Sequence, residues 1–174
     1  MRFASGLIAG IVLVAIAALG LIYSGAYNVA ATRPHTSPVN WALHTLAKRS
    51  IEKRASEEVR AVPNLENQAR IAAGARHYRE VCAQCHGAPG TDPSTLGRGL
   101  MPKPPDLADT SHHQWTSAEQ FWIVKHGIKM TGMPAWGPSN PDREIWDVVA
   151  FLRTLPSMTP ERYKTLSEQG EHKH

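Results

Sequence analysis

Both cysteines of this 174-residue chain fall in one short run, Cys82-Ala-Gln-Cys-His86. Two thiols three positions apart, followed at once by an imidazole, restrict the chain more than any other stretch of it. A structural disulfide, a dithiol redox centre, a zinc site and covalent haem attachment can all use such a cluster. The choice depends on which side of a membrane the cluster lies and on what the rest of the chain can contribute.

No residue between Arg2 and Arg33 is charged, and Gly6 to Tyr23, GLIAGIVLVAIAALGLIY, is almost wholly apolar. As a helix at 1.5 Å per residue this run is about 27 Å long, near the thickness of a bilayer's hydrocarbon core. A soluble core helix would show a polar face, and this one has none. The run reads as a membrane anchor. A cleaved signal peptide is the alternative, with small residues at Ser24 and Ala26, but the apolar core of a signal is usually shorter, at about 7–15 residues. Arg2 and the terminal amine are expected on the cytoplasmic side, which sends the rest across. Both readings export the cysteines.

The formal charge of +4 is local. From Leu65 to Pro156 nine Lys/Arg face nine Asp/Glu, whereas Arg33 to Val62 carries six basic and three acidic residues. With no basic run or recognition motif, nucleic acid is not expected as a partner.

Residues 1–26 are therefore read as the anchor and 27–63 as a juxtamembrane linker with a spacer helix. In that helix Leu43, Ala47, Ile51, Ala55 and Val59 form a narrow apolar stripe, and Pro63 is expected to end it. Residues 64–156 form the main domain. A helix over about Leu65–Val81 delivers its last turn into Cys82, and the Pro/Gly-rich run 87–110 reads as one long loop that needs something to wrap around. Thr116 with Glu119 makes a capping box for a short helix that Gly127 stops. Asn140 is expected to cap the last main helix, with Pro141 in its first turn and Ile145, Val148, Val149 and Leu152 as its buried stripe. Residues 157–174 read as a short helix and a polar tail. No strand pattern appears, so the fold class is all-α.

A disulfide oxidoreductase sets its cysteine pair in an alternating strand–helix pattern, which is missing. Structural zinc needs four ligands, and the adjacent His112 and His113 make no second pair. A disulfide across two intervening residues stabilises little. Covalent haem c fits all three residues and the exported location: Cys82 and Cys85 form thioethers, and His86 is the proximal iron ligand. For the second axial position Met133, in MTGMP, is expected, with Met130 as the alternative. Pro134 stiffens the backbone there and Gly132 permits close approach. Met101 is expected to pack against the macrocycle. His77, His112, His113, His126, His172 and His174 read as surface or loop histidines. The His86 Nδ1 hydrogen needs a backbone acceptor, for which Pro104 or Pro105 is suited. Trp115, Trp122, Trp136, Trp146 and Tyr78 read as core and as pocket wall.

GARHYREVCAQCHG, the PPDL loop, GMPAWG and EIWDVVAFLRTLP, in this order, resemble a class I monohaem c-type cytochrome domain over residues 66–156. The resemblance implies a helical fold around one haem c, and first and last helices crossing near Gly74/Tyr78 and Val148/Phe151. It also implies His86 and Met133 on iron, and electron transfer between redox protein partners in place of catalysis. Anchored members are common in bacteria, which implies a single-pass protein of the inner membrane with its haem domain in the periplasm, working as a respiratory carrier. A cytochrome subunit of a larger oxidoreductase complex, or a haem gas or peroxide sensor or enzyme, are the alternatives.

Overall fold

The structure, a computed structural model, describes residues 2–109 and 115–168. His112, His113, His172 and His174 lie outside the described residues. The chain divides into two units, Met1–Arg33 and Pro34–His174.

The first unit is built on α1 (Arg2–Ser24), whose apolar side chains are exposed along its length. Within it, Phe3–Ser24 is long and apolar enough to cross a membrane.

The second unit is helical, and no strand occurs among its described residues. In chain order it comprises α2 (Ser37–Glu58), α3 (Gln68–His77), a π-turn (Tyr78–Cys82), α4 (Ala83–His86), α5 (Thr95–Gly99), α6 (Ser117–His126), α7 (Asp142–Leu152), a 3₁₀ turn (Leu155–Ser157) and α8 (Pro160–Glu168).

The helix expected from Leu65 starts three residues later. The Asn67 side chain accepts from the Ala69 and Arg70 amides, which caps the helix there. At its other end the backbone widens into the π-turn, where the Ala83 amide bonds the Tyr78 carbonyl. π-turns inside helices often mark functional positions, and this one sits directly before the cysteine pair.

α3 crosses α7 at Gly74. A Cβ built on Gly74 would lie 1.9 Å from the Asp147 carbonyl oxygen and 2.9 Å from Phe151 Cβ, so only glycine lets these backbones meet. Around the crossing Ile71, Ala75, Tyr78, Val148 and Phe151 form the main core, which Tyr163 and Leu166 of α8 close. Tyr78 packs on Phe151 at 5.1 Å between ring centroids and meets the edge of Tyr163 at 6.4 Å. A second cluster joins Phe121 and Val124 of α6 to Ile145 and Val149 of α7. Trp146 stacks on Phe121 at 4.2 Å in its rim.

α2 lies on its own domain through the carboxyl half of its stripe, with Ile51 and Ala55 buried and Val59 packed against the second cluster. It ends at Glu58, five residues before Pro63.

Two other expectations change. The 87–110 run is not one loop, because Ser94 caps α5 within it by accepting from the Gly97 amide. Asn140 does not cap α7. Its amide donates to the Trp136 carbonyl and the Ser139 hydroxyl, and Pro141 occupies the cap position with no side-chain bond. The capping box of Thr116 and Glu119 and the stop at Gly127, with φ +67°, are as the sequence predicts.

Candidate cofactor site

Four segments enclose a cavity of about 430 Å³ in the second unit. Cys82, Cys85 and His86 line one part of it, and Pro102 to Pro105 with Leu107 line another. α6 contributes Gln120, Ile123 and Val124, and the loop after it contributes Ile128, Thr131 and Met133. Val148 and Leu152 of α7 complete the apolar floor, with Trp115 and Trp136 in the wall. Volume and lining suit a mostly apolar small molecule with a few polar contacts.

The cysteine turn is held from three directions. α5 packs straight onto it: a Cβ on Gly97 would lie 2.7 Å from the Gln84 carbonyl oxygen and 2.8 Å from Cys85 Cα. The Ser94 amide donates to that same Gln84 carbonyl at 2.9 Å. From inside, the buried Tyr78 hydroxyl donates to the Gly87 carbonyl at 2.7 Å, immediately after His86. Burial pushes the Tyr78 pKa far up, with a smaller contribution from Cys82, so the phenol stays a donor.

The His86 Nδ1 lies 2.9 Å from the Pro105 carbonyl oxygen. A carbonyl can only accept, so Nδ1 carries the hydrogen and Nε2 keeps a free lone pair. Burial lowers the His86 pKa, opposed by the Pro105 hydrogen bond and by Asp106. The ring is therefore held neutral and in the tautomer a metal ligand needs.

Cys82 and Cys85 are free thiols. Burial, and secondarily Cys85, pushes the Cys82 thiol up to about 12. A reactive redox cysteine shows the opposite shift, so the dithiol-exchange chemistry weighed for this pair is disfavoured. Among the described residues no group of three or more His, Cys, Asp and Glu is placed to hold a metal ion.

The loop after α6 is closed by its own hydrogen bonds. The Thr131 hydroxyl donates to the Ile128 carbonyl at 2.7 Å and accepts from the Met133 amide at 3.1 Å. The Ile128 amide returns to the Met133 carbonyl at 3.2 Å. This brings Met133 to the cavity, whereas Met130, with φ +63° and 73% exposed, is not among the lining residues. Met101 is exposed and does not line the cavity, contrary to expectation; the four residues after it do.

The remaining ring residues divide. His77 meets the edge of Trp136 at 6.4 Å but does not line the cavity. His126 pairs with Glu58 of α2 at 3.0 Å and packs on Trp122 at 4.7 Å, also away from it. Gln120 was not singled out by its sequence. It lines the cavity, and its Oε1 is buried without a partner.

These residues fit a covalently held haem. Two thiols and a neutral imidazole border one apolar cavity, a thioether reaches it from a separate loop, and a buried amide oxygen there lacks a partner. Residues 69–152 match the family model described as cytochrome C oxidase, cbb3-type, subunit III. No curated protein and no solved structure matches the chain. The cysteine turn, the helix crossing at Gly74 and the family match together make this helical domain a c-type cytochrome domain, an electron-transfer module carrying covalently attached haem c.

Proposed function

We propose that the chain is a membrane-tethered, periplasm-facing monohaem cytochrome that passes single electrons between redox protein partners. Cys82 and Cys85 would hold the haem through thioethers, His86 would bind iron through Nε2, and Met133 would bind it through its thioether sulfur. The observation that carries this reading is the shared cavity: the turn bearing His86 and the loop bearing Met133 both open onto it.

When bound, the haem supplies a reversible one-electron ferrous/ferric couple. The protein's part is to orient and to exclude water. Pro105 fixes the His86 ring, and the Thr131 bonds fix the Met133 backbone. The proline loop, Trp115 and Trp136 wall the cavity. With both His86 and Met133 holding the iron, none of it would be left for a substrate, which favours carrier over enzyme. α1 would confine the domain to the neighbourhood of one membrane and raise its effective concentration for partners there.

A second reading, a cytochrome subunit of an oxidase complex, is favoured by the description of the matched family. Visible spectra of Met133→Ala and Met130→Ala test the ligand assignment. The Met133 variant is expected to lose the low-spin methionine-ligated spectrum and to bind carbon monoxide readily when ferrous, with Met130→Ala unchanged. Ready carbon monoxide binding by the unmodified protein would support the sensor alternative and sink the carrier reading.

A further inference from the structure

The outer face of α2 is unexplained by electron transfer. Its carboxyl half is seated on the domain, with Ile51 3% and Ala55 1% exposed and Glu58 paired to His126. At about 100° per residue, Ala42, Thr45, Leu46 and Arg49 lie on the side turned away from Ile51 and Ala55, and Trp41 lies on the flank between the two sides; all five are exposed. Trp41 is 71% exposed and Leu46 68%. A large indole and a leucine left bare on the amino-terminal half of α2 mark a contact surface.

We infer that the amino-terminal half of α2 lies on an anionic lipid surface, its Trp41 and Leu46 entering the interface and Lys48 and Arg49 meeting headgroups. This rests on the membrane tether proposed above. Charge supports it: no acidic residue precedes Glu52, while Arg33, Lys48 and Arg49 all do. Glu52 itself pairs with Lys48 at 4.0 Å and Arg49 at 3.4 Å, so the stretch keeps a cationic excess. Tryptophan prefers the headgroup boundary, and basic residues beside bare apolar side chains add attraction to anionic lipid. Continuity supports it too. Only residues 25–36 separate α1 from α2, so Trp41 is held at high effective concentration near any bilayer that α1 enters. A protein partner would explain bare apolar groups but not a stretch of 51 residues without a carboxylate.

The test uses the full-length holoprotein in nanodiscs, with a photoreactive benzophenone amino acid at position 41, at position 46, or at the exposed control position 164 of α8. In phosphatidylglycerol discs, lipid adducts at 41 and 46 are expected to exceed those at 164 by roughly fivefold or more, falling severalfold in phosphatidylcholine discs. Equal yields at all three positions in a chain that has entered the disc overturn this inference and leave the tether standing. Failure to enter the disc overturns both. Equal yields in the two lipids overturn the anionic preference. In native membranes, protein adducts at 41 and 46 in place of lipid assign the face to a partner subunit instead.

Discussion

The Nδ1 of His86 donates to the Pro105 carbonyl 2.9 Å away, joining the cysteine turn to a proline loop nineteen residues downstream. On its other side the turn is joined to the α3–α7 core through Tyr78 and Gly87. The imidazole is thus clamped between two parts of the fold, and its pose depends on both.

Tyr78→Phe removes the buried hydroxyl and leaves the Gly87 carbonyl without its partner. An unsatisfied buried acceptor costs about 1–3 kcal/mol, so denaturant unfolding should show a loss of that size. Unchanged stability would mean that water or another donor replaces the phenol.

Gly74→Ala should be far more damaging. Its Cβ would sit 1.9 Å from a carbonyl oxygen on α7, where neither backbone can yield without parting the core. A cost of about 3 kcal/mol or more is expected from equilibrium unfolding, at or beyond the upper end of ordinary overpacking. A mild effect would show that the helices slide freely at their crossing.

Asp147 carries a pH dependence. It is nearly buried and pairs with Arg70 at 2.8 Å. Burial raises its pKa, and Arg70 and Arg143 only partly oppose this. The folded state therefore holds this proton more tightly than the unfolded state. Its contribution is greatest below the ordinary Asp range and is lost as pH rises through the raised value. Stability of the parent relative to Asp147→Asn should accordingly fall between acid and neutral pH. A relative gain over that window would show that Arg70 outweighs burial.

Met130 holds φ +63° with its side chain exposed. Glycine adopts that backbone without strain, so Met130→Gly should be neutral or stabilise by up to about 1 kcal/mol. The visible spectrum should stay that of the parent. A destabilised variant with an altered spectrum would mean that Met130 contacts the haem.

Much of this was legible because it is local. The spacing of Cys82, Cys85 and His86, the capping box at Thr116 and Glu119, and the stop at Gly127 each depend on a few adjacent residues. Pro104 and Pro105 were equally suited from sequence, since which carbonyl meets His86 is set by how the loop folds back. The start at Asn67 was missed because Leu65 extends the apolar pattern past it, although Leu65 packs on the core outside the helix. Asn140 failed as a cap because the nearby Trp136 carbonyl takes its amide first. The π-turn and Gln120 had no sequence signal, and the place of Gln120 is set by a cavity made by distant segments.

The central claim is that Cys82 and Cys85 carry haem c. Intact mass and a pyridine haemochrome spectrum of the chain, made in a host competent for cytochrome c maturation, test it most directly. The account predicts a mass increase of one haem that survives denaturation and is lost in a variant combining Cys82→Ala with Cys85→Ala. A parent chain at its bare polypeptide mass, with no haemochrome bands, would contradict it.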